Sequence, residues 1–362
     1  MSASSDTGSE FSSSTTISPV RSLLPIAVVS MVICTFSGAA FGWQLQSTGV
    51  DANLRGVSIT QMRTGGYAMW VSGTKGAVLR SVDDGKSWRK LKVDGAADLD
   101  FRDIEAFGDQ VAYLMSSGDG DKSRIYKTTN GGETWSLQFT SRRTGFFLDS
   151  LACESLNRCF ALSDPVDGKF LILSTEDGQH WLELPRDKMP TALPSEGAFA
   201  ASGTSIALCG GQIFFGTGGP AARVFRSVDR GLSWTATETP MAMGNSSSGI
   251  FSIACHGNSV VAVGGDYREP TGATKVAIYS QDSGATWRLA ERQPGGYRSA
   301  VVFLSDGNLL AVGPSGSDLS RDSGVHWAFA DSLNLNAVSV VGDASCSVGP
   351  KGMASCLVRH KP

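Results

Sequence analysis

The chain has 362 residues, 31 Lys plus Arg against 34 Asp plus Glu, and a formal charge of −3 with only 18% charged residues, which excludes the basic surface that a nucleic-acid partner requires. Hydrophobic residues at 41%, with 43 Gly, 13 Pro and 8 Trp, supply a large core cut by many turns, so neither a disordered chain nor a helical bundle fits. His180, His256, His326 and His360 are too few and too scattered for a His-based metal centre or a Ser-His-Asp site. No glycine-rich loop opens a helix in the way that cradles phosphate, and neither a cofactor nor a metal is expected.

Residues 1–22 form a Ser/Thr-rich leader that cannot bury enough apolar surface to order itself. Residues 23–42, LLPIAVVSMVICTFSGAAFG, are uncharged and apolar and read as an export segment. A stretch of this length also just spans a bilayer, so a cleaved signal peptide and an uncleaved membrane tether both stay open. Pro25 and the small-residue run Gly38-Ala39-Ala40 favour cleavage near Ala39 or Ala40. Cys34 lacks the flanking small residue of a lipidation site. Export places the other six cysteines in an oxidising compartment that permits disulfides: periplasmic, luminal or extracellular. Cys153 with Cys159 and Cys346 with Cys356 are expected as cross-strand bridges. Cys209 and Cys255 end equivalent strands in neighbouring repeats, and pairing or two buried thiols are both compatible with that placement.

From residue 43 onward one pattern recurs. Ser/Thr-x-Asp-x-Gly-x-x-Trp appears as SVDDGKSW, TTNGGETW, STEDGQHW, SVDRGLSW, SQDSGATW and SRDSGVHW. The corner residues are Asp83 and Trp88, Asn130 and Trp135, Glu176 and Trp181, Asp229 and Trp234, Asp282 and Trp287, and Asp322 and Trp327. The carboxylate and hydroxyl accept hydrogen bonds from turn N–H groups, Gly supplies a positive φ, and Trp covers the corner while its indole N–H finds a partner. Tryptophan spacings of 47, 46, 53, 53 and 40 residues match one four-stranded propeller blade. Between corners run short alternating strands, as in GIFSIAC, SVVAVGGD and KVAIYSQDSGATW. Three strands after the last corner lack a fourth, and WQLQS (43–47) lacks a sheet. The prediction is an all-β, seven-bladed propeller over residues 43–362, closed by the N-terminal strand joining the last blade.

The corners, the VGPSG and VGPKG strand-turn signatures and the composite last blade together resemble the photosystem II stability/assembly-factor-like propellers, exported proteins built from BNR (Asp-box) repeats. The resemblance covers essentially residues 43–358. It implies a non-enzymatic assembly factor that binds a protein or peptide, such as an unassembled membrane complex, and acts as a monomer. Sialidases, xyloglucan-type glycosidases and sorting receptors share the corner, which is therefore specific for fold and weak for activity.

In a propeller the corners occupy one face, and the opposite face is built from loops before first strands and between second and third strands. On that face the sequence places Arg55, Arg102, Asp149, Tyr297 and Arg298 near the starts of first strands. Asp164, Arg223, Asp266 and Arg268 lie between second and third strands, and the excursion over 185–204 brings Glu196 to the rim. Arginines directed at one mouth would bind an anionic or peptide partner through two-pronged contacts to carboxylates; a solvated rim of self-paired charges is the bland alternative. A sialidase-like glycosidase is a competing reading, with Arg55, Arg268, Arg298, Tyr297, Glu196 and Asp149 as its ingredients. The Arg-Ile-Pro segment of sialidases is absent, and seven blades do not match their six. A third reading is glycan binding without hydrolysis, on Tyr267 or Tyr297.

Overall fold

A computed structural model of the chain describes residues 43–358, so the leader and the export segment lie outside the described residues. Seven antiparallel sheets follow one another along the chain, six of four strands and one of five. No α-helix occurs among the described residues, and none of their helical turns is long or apolar enough to cross a membrane. The first blade is Leu54–Gln61, Tyr67–Gly73, Ala77–Ser81 and Arg89–Leu91, in that spatial order. The first strands of the other blades are Asp100–Phe107, Leu148–Ser155, Ile206–Cys209, Asn245–His256, Ala300–Phe303 and Ala337–Val341. Each of the seven touches the first strand of the next blade, and that of the first blade touches that of the seventh, which makes an inner circle. In the seventh sheet, Gln44–Ser47 lies antiparallel to Met353–Val358 as the outermost strand, with Ser47 opposite Met353. The Trp43 indole N–H donates to Asp331 Oδ2 of the sixth blade at 3.0 Å.

Alternation of apolar residues gives each sheet two buried faces, and the core accordingly divides into seven clusters, one between each pair of neighbouring blades. Each corner tryptophan packs into the interface with the preceding blade: Trp135 against the first, Trp181 against the second, Trp327 against the fifth. The corner glycine follows the same logic. At Gly231 a Cβ would stand 2.4 Å from Leu184 of the preceding blade, and at Gly284 2.6 Å from Phe214, while both positions have φ near +80° (86° and 78°). Glycine is therefore required twice over, by conformation and by closeness.

Five corners form as expected. In the fourth, Gly231 N–H donates to Ser227 Oγ, and Asp229 accepts from the Ser233 N–H (2.8 Å) and hydroxyl. The third differs. Its acid is Asp177, which accepts from Thr175 Oγ1 and from the N–H groups of Gln179 and His180, whereas Glu176 points outward to Arg158. The other five corners have a residue with φ between 56° and 71° just before the glycine (Asp84, Gly131, Arg230, Ser283, Ser323), and this residue is missing from Thr175-Glu176-Asp177-Gly178. The loop is one residue shorter, which moves the acid by one position. A second correction concerns the indoles. Trp234 and Trp327 donate to the carbonyls of Gly231 and Gly324, but Trp135, Trp181 and Trp287 have no partner among the described residues.

All three cysteine pairs are disulfides. Cys153 faces Cys159 and Cys346 faces Cys356 across adjacent strands, and Cys209–Cys255 bridges the first strands of the fourth and fifth blades with Cα atoms 6.2 Å apart. Three disulfides suit an oxidising, exported environment.

The axis is polar and is not open along its length. Neighbouring first strands are joined by backbone N–H donors reaching small side chains: Ile206 to Ser150, Val301 to Ser252, Ile59 to Ser339 and Ala106 to Ser58. In the second blade Asp103 takes this role, accepting from Leu151 N–H at 2.6 Å. The segment between the third and fourth blades then crosses the ring. Arg102 of the second blade donates to Ala200 O, Gly203 abuts the Asp103 carboxylate, and Ser202 Oγ donates to Ser299 O of the sixth blade.

Candidate functional site

The crossing segment turns what would be a channel into a cavity of about 490 Å³, open on the face away from the corners. Ala198, Phe199, Ala200 and Ala201 line it from that segment, Arg55 and Arg102 from the first and second blades, and Phe147, Asp149 and Asp164 from the third. Ser246, Phe251 and Tyr267 of the fifth blade, Tyr297, Ser299 and Pro314 of the sixth and Asn336 of the seventh complete it. Phe199 stacks on Phe251 with ring centres 3.8 Å apart, and Tyr297 meets Phe251 edge-on at 4.7 Å.

The two arginines share one carboxylate. Arg102 donates from Nε to Asp100 Oδ2 at 2.8 Å and from Nη1 to Ala200 O, so it is held in place. Arg55 comes only within 3.9 Å of Asp100 Oδ1, and its Nε has no hydrogen-bond partner among the described residues. Burial, followed by the charge of Arg102, lowers the Arg55 guanidinium pKa from its ordinary value. Such a group, planar and forked, is short of an anion.

Two acids share the cavity with them. Asp149 is 1% exposed, and its Oδ2 has no partner among the described residues. Burial, and next the Asp164 charge, hold its carboxyl well above the ordinary range. Asp164 accepts from Ala198 N–H at 2.9 Å and is raised by burial to about 6. The Tyr297 phenol is raised as well, chiefly by burial.

Of the ten residues expected at the mouth, the structure brings together Arg55, Arg102, Asp149, Asp164 and Tyr297. The others stand elsewhere. Arg298 is completely enclosed, donating to Asp318, Tyr297 O and Ser315 Oγ. Arg223 and Glu196 form a buried two-pronged pair in which Glu196 also accepts from Thr217 Oγ1 and Leu193 N–H. The excursion thus uses Glu196 as an anchor and sends Phe199 to Gly203, which sequence reasoning missed, to the centre. Asp266 caps its own turn by accepting from Arg268 N–H and Asn245 Nδ2, and Arg268 is exposed over Tyr267. The signal that could have located the segment is its length, about twenty residues between two short-loop blades, with an Ala-Ala-Ser-Gly run small enough to pass the axis. Phe251, Ser246 and Asn336 carried no comparable mark.

The sequence matches the family model of the DUF6242 beta propeller domain over residues 37–300, most of the chain. The chain belongs to the DUF6242 beta-propeller family. No curated protein matches this DUF6242 propeller. Among solved structures, it is similar to YCF48 bound to D1 peptide (12% identity, TM-score 0.62, covering 88% of this chain and 97% of that one). It is equally similar to YCF48 from Cyanidioschyzon merolae (18%, 0.62, 88% and 99%). It also matches the virginiamycin B lyase of Staphylococcus aureus (13%, 0.61, 88% and 100%). At such identities the likeness is one of fold, and it spans a peptide-bound protein and an enzyme alike.

Proposed function

We propose that this DUF6242 propeller is an exported, monomeric binding protein, periplasmic or luminal, that captures a protein or peptide partner in the cavity by a carboxylate held on Arg55 and Arg102. The observation that carries this reading is the Arg55 guanidinium, which lines the cavity with its Nε unpartnered beside an arginine already fixed by Asp100 and Ala200. A peptide carboxylate there would complete a charge-assisted, two-pronged contact. One fold neighbour, YCF48, has been solved bound to D1 peptide, which is consistent with a peptide on such a ring. A membrane complex as the partner, and a tether through residues 23–42, belong to the same proposal. Titration calorimetry with short peptides tests it: free-acid peptides bind wild type, and amidation or Arg55→Ala weakens them about tenfold or more, the scale of a lost charged hydrogen bond. Equal binding of acid and amide would overturn it.

One observation favours a second reading. Asp149 and Asp164 are two carboxyls in one cavity, both pushed above the ordinary carboxylate range chiefly by burial, which is the raw material of acid and base catalysis on a glycoside. The arginine cluster of a sialidase is not assembled, because Arg298 is enclosed and Glu196 is spent on Arg223. Turnover of a fluorogenic sialoside or a xyloglucan oligosaccharide that is lost in Asp149→Asn would replace the binding reading with this one.

A further inference from the structure

An anion site explains Arg55 and leaves Asp149 unexplained. Asp149 sits at the start of the first strand of the third blade and lines the cavity; it is 1% exposed, and its buried Oδ2 meets no donor among the described residues. A buried acceptor without a donor costs about 1–3 kcal/mol, more when charged. The fold gains nothing visible in return, since that oxygen joins no two blades, unlike Asp103 at the neighbouring position of the second blade. Asp164 lies beside it and is itself served by a single backbone donor, Ala198 N–H. Phe147, Phe199, Phe251 and Tyr297 line the same cavity, and aromatic rings attract a cation more strongly than a neutral donor. A hydroxyl would satisfy one oxygen and leave the repulsion between two acids in place; an ammonium or guanidinium would answer both.

We infer that the cavity takes a ligand of both charges, a peptide segment whose carboxylate lies on Arg55 and Arg102 while a nearby lysine or arginine side chain lies on Asp149 and Asp164. The inference rests on the peptide reading above and specifies what peptide it is. It also accounts for a cavity in which neither acid pairs with either arginine: Arg102 is tied to Asp100, but among the described residues Asp149 makes no ion pair and Arg55 only a 3.9 Å contact with Asp100, so these two are left for a third party. A charge left uncompensated in a partner would be rejected by one pair or the other, which gives the site discrimination as well as affinity.

The probes are two acetylated tetrapeptides with free carboxylates, one ending in lysine-alanine and the other in norleucine-alanine, which keeps the methylene stem and drops the charge. Wild type is expected to prefer the lysine peptide about tenfold, since a hydrogen bond to a charged group contributes roughly 1.5–3 kcal/mol. In Asp149→Asn the lysine-to-norleucine ratio falls to about one, and Asp164→Asn, tested separately in case the first variant folds poorly, lowers it in the same direction. Arg55→Ala weakens both peptides alike and leaves the ratio standing. Equal affinity of the two peptides for wild type, or a preference that survives in both Asn variants, overturns the inference. If the norleucine peptide still binds wild type through Arg55, the peptide reading outlives it; if neither peptide binds, both fall.

Discussion

The two faces of the ring use the same side chain in opposite ways. At the corners, Asp229 and Asp282 are surrounded by donors of their own turns, and the hydroxyls and N–H groups of Ser233 and Thr286 hold them below the ordinary carboxylate range. On the cavity face, Asp149 and Asp164 are held above it by burial with few donors nearby. The corner acid is fully served by its own turn, although three of the corner indoles stay unpartnered among the described residues, whereas the cavity keeps charged groups unmatched at a cost to the fold. Repetition therefore builds the scaffold, and an unmatched charge, rather than an unmatched polar atom, marks where another molecule belongs.

The sharpest way to break the comparison lies among the arginines. Arg298 and Asp318 are both buried and paired, so Arg298→Ala leaves an enclosed carboxylate without its counter-charge and should cost about 3–5 kcal/mol in denaturant unfolding. Arg55→Ala removes a half-buried side chain whose one ion-pair contact is long, and should change stability by about 1 kcal/mol or less, well below the Arg298 loss. Equal losses would mean that Arg55 is structural and the cavity ordinary. The two residues look alike in sequence, each near the start of a first strand.

Acid titration separates the faces next. Asp164, like Asp103, Glu105 and Asp149, has its native pKa raised chiefly by burial, so between the unfolded value near 3.8 and about 6 the native Asp164 carboxyl keeps a proton that the unfolded chain has lost. Stability tied to it is present below that window and is lost as pH rises through about 6. Melting temperature should therefore rise by several degrees from pH 8 to pH 5 at constant ionic strength, and Asp164→Asn, which keeps an acceptor for Ala198 N–H, should gain more stability at pH 8 than at pH 5. The corner acids have the opposite sign: their lowered pKa values contribute stability above about pH 4 that is lost on further acidification. A melting temperature flat from pH 5 to 8 would show that the cavity acids are better solvated than their burial implies.

The fold was legible in sequence because each corner is local: hydroxyl, acid, glycine and tryptophan lie within eight residues, and their spacing reports the blade. The site was half legible for the complementary reason. Residues at the starts of first strands, Arg55, Arg102 and Asp149, are placed by the repeat alone. Whether an arginine faces the cavity or a carboxylate depends on partners twenty or more residues away, such as Asp318 for Arg298 and Glu196 for Arg223, and no periodicity records them. The crossing segment is a single insertion without a counterpart in other blades, so self-comparison could not place it.

The smallest expected effect bears on the one corner that the repeat misreads. Aligning STEDGQHW on its glycine puts Glu176 in the acid position, but the loop is a residue short and Asp177 does the work, accepting from two N–H groups and paired with His180 Nδ1 at 2.6 Å. Asp177→Ala should then lower the denaturation midpoint measurably through the lost turn hydrogen bonds, while Glu176→Ala breaks only the exposed pair with Arg158 and should leave the midpoint nearly unchanged. Paired denaturation curves of the two variants decide it. The reverse ranking would mean that the third corner keeps the register of the other five. It would also weaken the wider rule that a corner is set by the left-handed residue before its glycine, because Thr175-Glu176-Asp177-Gly178 is where that residue is absent.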